Sequence, residues 1–196
     1  MTALRIALEG LDGCGKSTLC SYLALHYLYD VLPTPLPELK PFRQAIDACL
    51  DPSPLARVSY YTANVHRAGD VARAYIGRGD SIVLDRYWLS TRIYGEMQAP
   101  DFPYEAHEQI IAPVDFTFFL NVPLEERRRR MESRGHLEAH DRMTLNQQNA
   151  EKIREMYLKY GRNPINGQFV ELNCDGLSVE EISHLIHEHI TLETLR

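Results

Sequence analysis

The 196-residue chain has no apolar run approaching the roughly 18 residues that a membrane span requires. It has no excess of basic charge either: 21 Lys and Arg against 27 Asp and Glu leave a formal net charge of −6. That balance argues against a general binder of nucleic-acid polymers, whose footprint is basic overall. It does not exclude a small anionic substrate, because a pocket can be locally basic on an acidic protein. Cysteine is scarce, and the four present, Cys14, Cys20, Cys49 and Cys174, show neither C-x-x-C nor other metal-ligand spacing. They read as reduced thiols of a cytosolic protein. The eight histidines lack ligand spacing too; His184 and His187 share a predicted helix and read as surface residues. No internal repeat is seen, and Met1 leads straight into the first predicted strand without a signal peptide. What remains is an ordinary globular composition, 44% hydrophobic and 24% charged. A single domain over residues 1–196 is expected, large enough to bury about 70% of its unfolded surface.

Strands and helices alternate along the chain, the order expected of a parallel sheet wrapped by helices. Strands are predicted at Leu4–Glu9, Leu28–Leu32, Ser81–Asp85, Phe116–Val122 and Phe169–Leu172. Helices are predicted at Lys16–His26, Phe42–Leu50, Pro54–Ile76, Trp88–Glu96, Tyr104–Ile111, Leu145–Tyr160 and Val179–Leu192. One more opens with Pro123 at its first position and Glu125-Glu126 in its first turn, both favoured there. It runs to Arg134 and is broken by Gly135. Pro33, Pro35, Pro37 and Pro41 mark an irregular loop. The expected fold is three-layer α/β, with a central parallel sheet of about five strands flanked by helices.

Within that frame Gly10-Leu11-Asp12-Gly13-Cys14-Gly15-Lys16-Ser17 fits G-x-x-x-x-G-K-[ST], between a predicted strand and a predicted helix. A strand, a glycine loop and a helix N-terminus together form a phosphate cradle: amides turn inward and the helix end adds partial positive charge. Lys16 is expected to reach the β- and γ-phosphates and Ser17 to ligate Mg²⁺. Gly10, Asp12, Gly13, Cys14, Gly15 and Thr18 complete the stretch that meets the nucleotide. A chance glycine-rich turn would not bring the lysine, the serine and the strand–helix context with it. The chain is therefore expected to bind a nucleoside triphosphate in a P-loop NTPase fold. Cys14 lies beside a helix N-terminus, a setting that lowers a thiol pKa, so its oxidation or alkylation is expected to block nucleotide binding.

Two further clusters carry charge. Asp85 ends a buried strand, where an acid beside the phosphate loop can hold Mg²⁺ directly or through water; the competing role is a cap for the following helix. Arg86, next to it, is a bidentate donor suited to a phosphate. In the run Arg127-Arg128-Arg129-Arg130, positions 127, 130 and 134 share one helix face, while Arg128 and Arg129 read as solvated. The stretch from Gly135 to Arg142 has little apolar content and reads as a mobile lid over about residues 135–143. Its closure would exclude water and bring positive charge to a transferring phosphoryl group.

Gly-Leu-Asp-x-x-Gly-Lys-Ser-Thr at residues 10–18, Asp85-Arg86-Tyr87-x-x-Ser90 with Tyr94, and Arg130-x-x-x-Arg134-Gly135 leading to Asp141-Arg142 together resemble the thymidylate kinases. Their order and spacing cover residues 4–192. The resemblance implies transfer of the ATP γ-phosphoryl group to a pyrimidine deoxynucleoside monophosphate, most simply dTMP, with Mg²⁺, in a cytoplasmic homodimer. It implies that Asp12 bonds the deoxyribose 3′-hydroxyl, that Arg86 grips the acceptor phosphate beside Ser90, that Tyr94 lies against the 2′ position, and that Tyr61 stacks on the base. Some members carry an arginine where Gly13 stands, so the catalytic positive charge is assigned to Arg130, Arg134 and Arg142 with Lys16, while Asp85 completes the catalytic set by holding Mg²⁺. Two departures concern the acceptor. Pro33–Glu38 replaces a Glu-Pro pair, with Glu38 or Arg43 as substitutes, and Asn64 and Val65 stand where an arginine reads thymine, with Arg67 just beyond. Two other readings stay open. A deoxynucleoside kinase would use Asp85 or Glu38 as a base, but leaves Arg86 and Arg67 without an acceptor phosphate. A regulator would hold ATP without transferring phosphate.

Overall fold

The computed structural model describes residues 3–49, 53–133, 135 and 139–194. Among them, five strands form one sheet: β1 (Arg5–Glu9), β2 (Asp30–Pro33), β3 (Ile82–Asp85), β4 (Phe116–Asn121) and β5 (Gln168–Asn173), in the order β2-β3-β1-β4-β5. All four neighbour pairs are parallel. The three central strands are buried on both faces, which is why they read as continuous apolar runs rather than alternating ones. Period-two geometry then divides their side chains. Ile6, Leu8, Phe116, Phe118 and Leu120 pack with Leu19 and Leu23 of α1 (Lys16–Tyr27) and Ile182 and Ile186 of α9 (Val179–Thr194). On the other face Ala7, Ile82 and Leu84 meet α3 (Pro54–Arg78) and the start of α4 (Trp88–Glu96) through Val65, Ala68 and Trp88. Phe119 meets α8 (Gln147–Tyr160) through Ile153 and Tyr157. These are the three expected layers.

The topology also fixes where a ligand sits. The chain leaves β1 toward the β3–β2 side and leaves β4 toward β5. The connections diverge above the carboxyl ends of adjacent strands, the usual crevice of such sheets.

Where boundaries moved, local chemistry accounts for it. Leu28 ends α1 in the left-handed region at φ 57, a C-cap made without glycine, so β2 begins two residues later than expected. Pro33 is tolerated because β2 is an edge strand. The helix expected to run to Ile111 is the shorter α5 (Tyr104–Glu108), with Gln109 at its C-cap. The helix after β4 is α6 (Leu124–Glu132), with Pro123 at its N-cap rather than its first position. A further correction concerns the lid: Ala139–Thr144 is a short helix, α7, where a loop was expected. Burial is the reason, because Met143 packs on the Phe119–Tyr157 cluster and the Thr144 carbonyl accepts from buried Arg127 at 3.0 Å. Arg134 and residues 136–138 lie outside the described residues. The proline-rich stretch ends in α2 (Lys40–Cys49).

Candidate active site

The phosphate loop leaves β1 and turns into α1 at Gly15, which has φ 96 and caps the helix with its N-terminal amides free of any side-chain cap. Such an end is an anion site. Gly13, at φ 82, is also held small by its surroundings: a Cβ there would come within 2.8 Å of the Met131 sulfur on α6. The Lys16 side chain is buried and folds back on the loop, its ammonium donating to the carbonyls of Gly10 at 2.8 Å and Leu11 at 3.1 Å. It also lies 3.4 Å from the Cys14 sulfur. Cys14 itself is only 1% exposed in a packed loop, which works against the modification expected to block nucleotide binding. Ser17 and Thr18 are exposed at the cleft wall.

Asp85 stands across from that loop. Ser17 Oγ donates to its Oδ2 at 3.3 Å, so the two predicted magnesium ligands are neighbours and the cap role is not taken up. Arg86 follows in the left-handed region at φ 67, an uncommon conformation for a residue with a side chain. Its guanidinium donates to Asp12 Oδ1 at 2.6 Å and to Ser90 Oγ at 3.0 Å, and lies 5.6 Å from the Tyr94 ring centre. Burial works against the Arg86 charge, but Asp12 and the neighbouring phenols and carboxylate outweigh it and hold the group firmly protonated. Burial likewise pushes the Tyr94 phenol up, against the pull of Arg86. The cleft between these groups holds about 270 Å³ and is lined by Asp12, Lys16, Ser17, Asp85 and Arg86.

Its remaining wall comes from the proline-rich loop. Pro33, Thr34, Pro35 and Lys40 line it, with the Thr34 amide donating to the Asp85 carbonyl at 3.0 Å. Lys40, the first residue of α2, was not singled out from the sequence. Glu38 and Arg43 are exposed and do not line this cleft.

The arginine run divides as its helical phase requires. Arg128 and Arg129 pair with Glu125 and Glu126 on the solvated face. Arg130 also pairs with Glu126, at 2.6 Å, and reaches over the phosphate loop to the Cys14 carbonyl at 3.4 Å. Arg127 is 2% exposed and donates to two carbonyls, those of Asp12 (3.1 Å) and Thr144 (3.0 Å). It thus ties the phosphate loop to α7, and burial lowers its hold on its proton. Arg142 is exposed on α7.

On the base side the expected residues are less well gathered. Tyr61 is half-buried and packs edge-on against Tyr60, with ring centres 5.1 Å apart. Asn64 is fully buried, its Oδ1 accepting from the Leu36 amide at 3.0 Å and its amide group donating to the Tyr60 carbonyl at 2.9 Å. It holds the proline-rich loop rather than facing the cleft. Val65 belongs to the core, and Arg67 lies on the exposed face of α3.

One group of residues went unnoticed in the sequence. Glu9, last in β1, is wholly buried. Its Oε1 accepts from the amides of Tyr87 (2.9 Å) and Ser90 (3.3 Å), and its Oε2 accepts from the Ser90 hydroxyl. Tyr157 approaches both, 2.9 Å from Ser90 Oγ and 3.5 Å from Glu9 Oε2. Burial raises the Glu9 carboxyl above the usual range. A charged residue ending an otherwise apolar strand was the available signal.

Known proteins resemble this chain in sequence and in fold. The family model described as thymidylate kinase matches residues 8–186. A probable thymidylate kinase of Pyrococcus horikoshii is 31% identical over 171 residues, spanning 79% of this chain and 80% of that protein. A probable thymidylate kinase of Thermococcus kodakarensis is 28% identical over 175 residues, spanning 79% of this chain and 82% of that protein. Among solved structures, the thymidylate kinase of Candida albicans aligns with a TM-score of 0.72 over 98% of this chain and 93% of that one. At 20% identity that likeness speaks for the fold.

Proposed function

The chain belongs to the thymidylate kinase family, and from that premise we propose that it transfers the γ-phosphoryl group of ATP to the phosphate of dTMP, giving dTDP and ADP. Membership makes it an ATP-dependent phosphotransferase. The observation that carries the acceptor assignment is the position of Arg86: a second fixed cation in the same cleft as the phosphate loop, held by Asp12 and Ser90. One cation cradle suffices for a triphosphate; the second suits a phosphorylated acceptor. A kinase acting on a nucleoside hydroxyl would leave it without a ligand.

A phosphate oxygen of dTMP attacks the γ-phosphorus, and the bond from that phosphorus to the β-bridging oxygen breaks as ADP leaves. The acceptor oxygen is already anionic, so no strong base is required. The work is positioning and charge neutralisation. Lys16 leaves the loop carbonyls for the β- and γ-phosphates, and Arg130, already over the loop, supports the transferring group with Arg134 and Arg142 of the lid. Arg86 holds the acceptor phosphate, with Lys40 on the facing wall. Asp12 anchors Arg86 and receives the sugar hydroxyl, and Tyr94 and Tyr61 bound the sugar and base. Ser17 and Asp85 are an oxygen-only pair of the kind Mg²⁺ takes beside substrate phosphates and water. When bound, the ion would neutralise charge between the β- and γ-phosphates.

The same reading puts the protein in the cytosol, where the free thiols of Cys14, Cys20 and Cys174 persist. It also makes it a homodimer, for which the exposed Phe42 of α2 and Leu55 of α3 offer apolar surface. Among the described residues, no helix is long and apolar enough to cross a membrane. The test is ADP release over a panel of nucleoside monophosphates and nucleosides, including 5-substituted deoxyuridylates. Turnover with dTMP and none with thymidine is expected; turnover with thymidine alone would refute the acceptor assignment.

A further inference from the structure

Arg86 can serve an acceptor only if its backbone is held in an unfavourable conformation. Its φ of 67 lies in the left-handed region, which disfavours a residue with a side chain, so the surroundings must impose it. Two consecutive residues of β1 do so. The Leu8 carbonyl accepts from the Arg86 amide at 3.0 Å, and Glu9 Oε1 accepts from the next amide, Tyr87, at 2.9 Å. Glu9 also accepts from the Ser90 amide at 3.3 Å. Tyr87 is the N-cap of α4 and makes no side-chain cap bond of its own. A carboxylate from the neighbouring strand therefore caps this helix, where a serine or aspartate of the helix itself would usually do so. The second carboxylate oxygen takes the Ser90 hydroxyl, and Ser90 Oγ in turn lies 3.0 Å from Arg86 Nη1. One buried group thus fixes both the backbone that presents Arg86 and the hydroxyl that aims its guanidinium.

We propose that Glu9 is the positioning residue of the acceptor site, acting through Arg86 and touching neither nucleotide. The proposal rests on the acceptor reading above. It requires a hydrogen-bond acceptor at this place and not a negative charge. Glutamine keeps an oxygen toward the two amides, and its NH₂ can donate to the hydroxyls of Ser90 and Tyr157. Alanine leaves buried amides without a partner, which the turn can satisfy only by moving. A misplacement of about 1 Å costs on the order of 100-fold.

Steady-state kinetics of Glu9→Ala and Glu9→Gln, with acceptor and ATP varied separately, test this. Alanine is expected to raise the acceptor KM about 100-fold while the ATP KM moves less than about threefold, and glutamine to recover at least about tenfold of that loss. In a cycle with Arg86→Ala, adding Glu9→Ala is expected to cost less than about threefold more, because the group it positions is already gone. If Glu9→Ala does not fold, Glu9→Asp withdraws the carboxylate by one methylene and is expected to raise the acceptor KM about tenfold at constant ATP KM. The proposal is overturned if both KM values rise together, if glutamine does no better than alanine, or if the two alanine effects multiply. Failure of the dTMP assignment is separate: it is seen in the wild-type protein as turnover with a different acceptor, which then serves for the same comparison.

Discussion

Replacing Arg86 separates what the residue does for folding from what it does for the acceptor. The guanidinium gives two bonds to the protein, to Asp12 Oδ1 at 2.6 Å and Ser90 Oγ at 3.0 Å, and lines the cleft with donors to spare. Two charge-assisted bonds to a phosphate contribute about 1.5–3 kcal/mol each. Water regains part of that in a truncated variant, leaving about 3–4 kcal/mol, or a 10²–10³-fold rise in acceptor KM for Arg86→Ala. The backbone adds a control. Alanine keeps the cost of φ 67, whereas glycine adopts it freely, so Arg86→Gly is expected to be about 1 kcal/mol more stable than Arg86→Ala. Both should nevertheless lose the acceptor equally. Lysine should recover only part of the affinity, having charge without the planar fork. The assays are coupled ADP release with dTMP and ATP varied in turn, and thermal melts of the three variants. An acceptor KM unchanged in Arg86→Ala would refute the assignment, and a glycine variant that binds dTMP better than the alanine one would show that fold damage, not the lost guanidinium, was being measured.

Arg127→Met is expected to lower stability by about 2–4 kcal/mol, since the carbonyls of Asp12 and Thr144 each lose a charged donor from a buried side chain; calorimetry should show a fall of about 5–15 °C in Tm. Gly13→Ala should lower both Tm and ATP affinity, because φ 82 disfavours a side chain and Met131 fills its space; Met131→Ala should restore part of the loss, and no recovery in that pair would refute the packing account. His66, which is partly buried and faces His107 at 3.1 Å, holds its proton less readily in the folded protein than an ordinary imidazole. The stability this gives is complete above the usual value of 6.5 and is lost as pH falls below it toward the depressed folded value, so melts of wild type and His66→Phe should converge in acid. Cys14 should resist iodoacetamide in the native protein and label on denaturation; rapid native labelling would contradict its burial.

The fold was legible because its signals are local. The central strands are short apolar runs, and from β2 onward each strand sits between segments of helical period, so the alternation could be counted without knowing a single contact. The boundaries that slipped did so where a tertiary partner overrode local preference. Leu28 closes a helix in a conformation usually left to glycine. The stretch 139–144 is polar enough to read as a loop, yet it is helical because Arg127, a dozen residues earlier, bonds its last carbonyl from inside the protein.

The site was legible to the extent that a motif fixes backbone. The phosphate loop, Asp85 and Arg86 each stand in a short motif, and the structure brings them to one cleft. Helical phase was also enough to separate Arg128 and Arg129 from Arg130. It was not enough for Arg127: residues 127 and 130 do share a face, but one is buried on carbonyls and the other lies over the phosphate loop. Asn64 shows the same limit from the other side. A buried amide on the acceptor-side helix suggests a reader of the base, and only its contacts reveal that one end holds the proline-rich loop through Leu36 while the other bonds the Tyr60 carbonyl of its own helix. Glu9 was the hardest to see, because its partners Tyr87, Ser90 and Tyr157 lie about 80 to 150 residues away and none belongs to a pattern containing it. Motifs report the groups that meet the ligand, since those must recur at fixed spacing. The groups that hold them can come from anywhere the fold permits, and here the decisive one comes from the strand next door, one residue before the motif begins.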